Sequence, residues 1–322
     1  MTKPHIFITR PMPHWLMEKL EQEATVDVWN KNESVPEEEL VRRTAEADGL
    51  FCTVSEPVTR NVIEQAPRLK VIATMAVGYN NIDLEAADEQ GVKVAHTPGV
   101  LTETTADLTF ALLMAAARRL PEAMDTIRKN EWGSWAPFAF TGQDIYGATL
   151  GIIGMGRIGE AVAKRAGGFD MNILYHNRSR KREAEERTGA VYAELDELLE
   201  QADFICVLAP ATPETEKLIN AEAFRKMKKT AVFINTSRGT TVDEEALVNA
   251  LREGEIFSAG LDVFENEPIS ADHPLLSLSN VVALPHIGSA SEKTRRQMAD
   301  MTADHILQGL HGLPLTHEVP GK

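Results

Sequence analysis

Along nearly all of its 322 residues the chain alternates short, β-branched apolar runs with stretches of helical periodicity. HIFIT, TVDVW, GLFCTV, KVIATM and KVAHT come first, and a second series follows as ATLGII, NILYH, DFICVL, AVFINT, SAGLDV and NVVALP. Runs of this length between helical segments are buried strands of parallel sheets wound with helices, and few other architectures accept the pattern. A chain this long favours two domains, and 43% hydrophobic with 25% charged residues is the balance of an ordinary globular protein. The expected class is therefore α/β, with two doubly wound parallel-sheet domains.

Between the two series lies a helical pattern over 104–119 whose face is rich in Leu, Ala, Phe and Met, too long and apolar for a simple crossover. A last helix is expected over 291–310, too late to serve the second sheet, so it is assigned to the first unit. The expected domains are 1–98 plus 289–322, and 99–288, with short hinges near 98–101 and 285–289. Thirty-three Lys and Arg stand against 48 Asp and Glu, a net charge of -15 that disfavours DNA and anionic membranes as partners. The apolar run at 110–117 is far short of the roughly 20 residues of a membrane span, and MTKPHIFITRP lacks a signal-peptide layout, so a cytoplasmic location is expected. Cys52 and Cys206 sit in apolar runs and read as buried, inert thiols.

Gly154-Met155-Gly156-Arg157-Ile158-Gly159 lies directly after the strand ATLGII and before a helix expected over 158–166. In that context GxGxxG is the dinucleotide fingerprint: a tight turn, a close backbone approach to the pyrophosphate, and a closely packed helix whose N-terminal N–H groups face the phosphates. The next strand, NILYH, should end in an acidic residue if the cofactor is NAD, but runs instead into Asn177-Arg178-Ser179-Arg180-Lys181-Arg182. Basic residues opening a helix oppose its dipole, and in so acidic a protein they point to a 2′-phosphate held by Arg178, Ser179 and Arg180, hence to NADPH/NADP over NADH/NAD.

Three further segments place reactive residues where ligands of open α/β sheets gather: FINTSRG with Arg238, GLDVFENEP with Asp262 and Glu267, and VVALPHIGS with His286. A guanidinium to clamp a carboxylate, an imidazole acid and a carboxylate to keep it protonated are what reduction of a 2-oxo acid needs. The nine His show no metal-ligand spacing such as HExxH, and no metal is expected.

With MAVGYNNID, LTETTADLTFALLMAAARRL, EWGSWAP, GIIGMGRIG, FINTSRG, GLDVFENEP and PHIGSA in hand, the chain resembles the D-isomer-specific 2-hydroxyacid dehydrogenases over its full length, closest to their glyoxylate/hydroxypyruvate reductase branch. The resemblance implies a flavodoxin-like substrate domain made from both chain ends and a Rossmann cofactor domain that includes the dimerisation helix. It implies that Arg238 orients the substrate, that Glu267 pairs with His286 and that His286 delivers the proton. By the same resemblance Asp262 holds the nicotinamide side, and Pro210, Thr236 and Gly288 line the cofactor. The N–H groups of Val77 and Gly78 receive the substrate carboxylate, which agrees with their place on a strand-to-helix turn. A homodimer is implied, with Trp135 reaching toward the partner's active site. Formate is disfavoured, since formate dehydrogenases carry Gln where this chain has Glu267.

The expected activity is NADPH-preferring reduction of small 2-oxo acids, glyoxylate and hydroxypyruvate first, with no nucleic-acid or membrane partner. Two rivals stay open at this point: a 2-ketogluconate reductase, and a dinucleotide-sensing corepressor on the same fold.

Overall fold

The computed structural model describes residues 3–321, and the chain divides into two compact units, Met1–Leu101 with Ser291–Lys322, and Thr102–Ala290. In the first unit the strands are β1 (His5–Ile8), β2 (Thr25–Val28), β3 (Gly49–Cys52), β4 (Val71–Thr74) and β5 (Lys93–Ala95). All pair in parallel, in the order β2-β1-β3-β4-β5, the flavodoxin-like arrangement. Because side chains alternate across a strand, each run of four feeds two cores. Phe7, Leu50, Cys52 and Ile72 point to one face, while Ile6, Ile8, Phe51, Val71 and Ala73 point to the other. That second face is closed by the helix Glu292–Leu310 through Ala299, Ala303 and Ile306. Gly309 lets this helix lie against β4, since a Cβ there would meet Val71 at 2.4 Å.

The second unit holds β6 (Thr149–Ile153), β7 (Asn172–His176), β8 (Val191–Tyr192), β9 (Phe204–Val207), β10 (Val232–Asn235), β11 (Ser258–Leu261) and β12 (Val281–Ala283). The sheet is again all parallel, in the order β12-β11-β10-β9-β6-β7-β8, so the strand order reverses between β9 and β6, the switch point of a Rossmann fold. Phe204, Cys206, Val232 and Ile234 face one core and Ile205, Val207 and Phe233 the other, as expected of strands buried on both sides. Both cysteines are free and buried, and burial pushes their thiols up to about 12.

The apolar helix between the two series spans Thr102–Ala117, and a second helix, Leu120–Arg128, follows. The periodicity ran on to 119, but Arg119 adopts φ 52° and breaks the helix there. A left-handed residue reverses the local chain direction, which periodicity alone does not reveal. Among the described residues no helix is long and apolar enough to cross a membrane.

Candidate active site

Since all seven strands of the second unit run the same way, the loops that follow them leave from one end of the sheet. The dinucleotide fingerprint follows β6, and its three glycines have distinct reasons. Gly154 takes φ 106°, and a Cβ there would meet the Ala209 backbone nitrogen at 2.4 Å. A Cβ on Gly159 would meet the Gly154 carbonyl oxygen at 2.6 Å, so helix Arg157–Gly167 packs onto the loop only without one. A Cβ on Gly156 would meet nothing within 4 Å, which leaves open space at the helix N-terminus for a pyrophosphate. Arg157 is exposed and Ile158 half-buried beside it. The cradle fits a nicotinamide dinucleotide.

At the end of β7, where an NAD enzyme would have a carboxylate, Asn177 is half-buried and turned to the glycine loop. Its Oδ1 accepts the Met155 N–H at 2.7 Å, and its Nδ2 donates to the Met155 carbonyl at 3.3 Å. Sequence reasoning read this position only as a missing acid, whereas its amide, which can donate and accept at once, was the signal for a loop clamp. Arg178, Ser179 and Arg180 follow it and are exposed. Arg180 is paired with Glu185, a partner the sequence reading did not assign. Pro210, after β9, is exposed, and its carbonyl accepts from Thr215 Oγ1.

Arg238 follows β10, Asp262 follows β11 and His286 follows β12, so three adjacent strands deliver the reactive groups. Asn235, the last residue of β10, is buried and shapes the first loop: its Oδ1 accepts from Ser237 N–H and Oγ–H, and its Nδ2 donates to the Arg238 carbonyl. Gly239 brings that loop against the next, since a Cβ would lie 1.8 Å from the Phe264 carbonyl carbon. Burial pulls the Arg238 guanidinium below its ordinary range, opposed by the negative charge of Glu267.

Glu267 Oε2 meets His286 Nδ1 at 2.7 Å, and its Oε1 accepts the Phe264 N–H at 3.0 Å. Partial burial pushes the Glu267 carboxyl up, but the His286 hydrogen bond and charge, the Phe264 N–H and Arg238 together hold it below the usual carboxylate range. His286 itself sits at φ 54°. The adjoining turn is fixed by Asp262, whose two oxygens accept the N–H groups of Ile287 and Gly288, each at 2.7 Å. Asp262, expected on the nicotinamide side, has both oxygens on the backbone that directly follows His286. Burial raises its pKa, against those two N–H groups and the nearby imidazole. Thr236 is buried and shares a 2.7 Å hydrogen bond with Thr109.

Val77 and Gly78 belong to the first unit, half-buried in the segment after β4. His96, which the sequence reading left aside, donates from Nδ1 to the Val77 carbonyl at 2.8 Å. Trp135 is 81% exposed. Among the described residues no group of three His, Cys, Asp or Glu is placed to hold a metal ion.

Residues 110–288 match the family model for the D-isomer specific 2-hydroxyacid dehydrogenase, NAD binding domain. A glyoxylate reductase of Korarchaeum cryptofilum is 48% identical over 307 residues, 95% of this chain and 92% of that one. The chain belongs to the D-isomer-specific 2-hydroxyacid dehydrogenases. It is an NAD(P)-dependent enzyme, which sets aside the corepressor reading. A crystal structure of a Thermus thermophilus protein superposes with a TM-score of 0.92 at 44% identity, covering 98% of this chain and 100% of the other. An NADPH-dependent glyoxylate/hydroxypyruvate reductase of Sinorhizobium meliloti, solved with NADP and malonate, gives 0.84 at 32% identity, covering 99% and 98%. The fingerprint after β6, and Arg238, Glu267 and His286 in the loops after β10 to β12, are the candidates for the two halves of a dehydrogenase site.

Proposed function

We propose that this dehydrogenase reduces small 2-oxo acids, glyoxylate and hydroxypyruvate first, and prefers NADPH to NADH. The observation that carries the chemistry is the 2.7 Å contact between His286 Nδ1 and Glu267, next to the loop of Arg238. With Nδ1 turned to the carboxylate, Nε2 is the nitrogen left to protonate the substrate oxygen. Arg238 clamps the substrate carboxylate with its planar fork. A bound reduced nicotinamide supplies the hydride for the carbonyl carbon. Gly154, Gly156, Arg157, Ile158 and Gly159 hold the pyrophosphate, and Pro210, Thr236 and Gly288 line the cofactor.

The NADPH preference rests on the absent carboxylate after β7 and on Arg178, Ser179 and Arg180, and the NADP-bound relative supports it. A homodimer is part of the same reading. Eight of the eleven exposed large apolar side chains among the described residues fall between Met114 and Tyr146, Trp132, Trp135 and Phe138 among them, and so much exposed apolar surface in one stretch of chain supports an interaction surface there. We also place the enzyme in the cytosol.

The test is the initial rate of nicotinamide oxidation with glyoxylate, hydroxypyruvate and 2-ketogluconate, each with NADPH and NADH. The highest kcat/KM should come from the two small acids with NADPH. A higher value with 2-ketogluconate would overturn the substrate assignment. Arg178→Ala should weaken NADPH by about 1.5–3 kcal/mol and spare NADH. Sedimentation of the pure protein reads the dimer.

A further inference from the structure

After β7 the chain crosses five residues and enters the helix Arg182–Thr188. One carboxylate organises this crossing. Tyr175, fully buried on β7, accepts the Lys181 N–H at 2.7 Å and donates its own proton to Glu185 Oε1 at 2.7 Å. The same carboxylate takes Arg180 in a fork, Nε to Oε1 at 2.7 Å and Nη2 to Oε2 at 2.8 Å. The Glu185 side chain is 16% exposed and that of Arg180 57%.

We infer that Glu185, anchored by Tyr175, sets the cofactor preference by holding the Arg180 guanidinium by its Nε–Nη2 edge, so that the Nη1–Nη2 edge is left to bind the 2′-phosphate of NADPH. The inference rests on the reading that NADPH is the preferred cofactor. A guanidinium has two edges able to form paired hydrogen bonds, and a phosphate needs one. A long side chain loses rotamer freedom when it clamps a ligand, and a guanidinium already fixed by one edge has less to lose. An exposed ion pair contributes little to stability, so a network that sinks its carboxylate and spends a buried tyrosine hydroxyl on it points to placement of Arg180. The hydrogen bonds from Arg180 and Tyr175 lower the Glu185 carboxyl to about 2, so the fork persists throughout the neutral range. Arg178 lies outside this fork, and its charge adds to the Thr212 hydrogen bond that lowers Glu214, on the loop after β9. Glu185 is a positioning residue, acting through Arg180.

The experiment titrates wild type, Glu185→Gln, Tyr175→Phe, Arg180→Ala and the Arg180→Ala/Glu185→Gln double variant with NADP+ and with NAD+ by calorimetry, with thermal unfolding as a check on folding. Glu185→Gln should weaken NADP+ roughly five-fold or more, the scale of one charge-assisted hydrogen bond partly lost, and leave NAD+ within about two-fold. Tyr175→Phe should move NADP+ in the same direction by less, and in the Arg180→Ala background Glu185→Gln should change nothing further. Unchanged or tighter NADP+ binding in Glu185→Gln would overturn the inference, as would equal losses for both cofactors or a full loss without Arg180. Wild type binding NAD+ as tightly as NADP+ would overturn the underlying NADPH reading and this inference together. A wild type that prefers NADP+ with an unaffected Glu185→Gln overturns the inference alone.

Discussion

Glu267 holds His286 by one oxygen and the backbone of its own loop by the other: Oε2 lies 2.7 Å from Nδ1, and Oε1 takes the Phe264 N–H. The carboxylate therefore orients the imidazole from a loop it has itself fixed, and it places a negative charge against Nδ1. In the proposed reaction, reduction needs the protonated imidazole and oxidation of the 2-hydroxy acid the neutral one.

Glu267→Gln keeps the shape and removes the charge. The alkaline limb of the kcat/KM profile for reduction should move to lower pH, while oxidation should lose less. Because its neighbours hold the Glu267 carboxyl below the usual carboxylate range, the variant removes a charge that the wild type carries at neutral pH. Coincident alkaline limbs in wild type and variant would remove Glu267 from the proton-donor pair.

Arg238→Lys preserves the charge and should not preserve the activity. A guanidinium spans two acceptors in one plane, whereas an ammonium is a point charge. With one or two charged hydrogen bonds of about 1.5–3 kcal/mol lost, kcat/KM should fall on the order of 10- to 100-fold. Circular dichroism should show the fold intact. Wild-type kinetics in the lysine variant would mean that the site needs only the field.

Asp262→Asn replaces an acceptor pair by one acceptor and one donor, facing two N–H groups at 2.7 Å. One N–H then loses its partner, at about 1–3 kcal/mol. The turn after His286 should loosen, so kcat should fall more than the affinity for NADPH. Hydrogen exchange at Ile287 and Gly288 should quicken. Unchanged exchange with normal kcat would show that the turn stands without this carboxylate.

His305 predicts an acid weakness in the first unit. It is buried on the last helix, its Nε2 3.4 Å from His317 Nδ1, and burial, with the fields of His317 and His96 outweighing that of Asp304, lowers it from 6.5 to about 4. Below 6.5 the unfolded chain binds a proton that the folded one refuses. Stability is thus fully present above pH 6.5 and lost as pH falls toward 4, by at most about 1.4 kcal/mol per unit. His305→Leu should flatten the dependence of urea unfolding on pH between 6.5 and 4.5. Parallel slopes for the two proteins would assign the acid weakness to other groups.

The fold class was written in the sequence because a parallel strand buried on both faces has to be a short apolar run, and eleven of the twelve strands carry such a run; β8, only two residues long at Val191–Tyr192, does not. The glycine spacing of the fingerprint was legible for a similar reason, as only glycine satisfies a positive φ at Gly154 and the close approach at Gly159. Arg238, Glu267 and His286 were legible as reactive types at strand ends. The pairing of Glu267 with His286 was implied by the family resemblance, and the remaining partners were not legible. Asn177 on Met155, Asn235 under the Arg238 loop, Asp262 on two backbone N–H groups and Glu185 on Arg180 are all set by directional hydrogen bonds between atoms whose distance depends on loop paths. The break at Arg119 is of the same kind, a single left-handed residue inside an uninterrupted helical pattern. Hydrophobic burial is non-directional and leaves a periodic trace in the chain, whereas a hydrogen bond is satisfied at one geometry and leaves none.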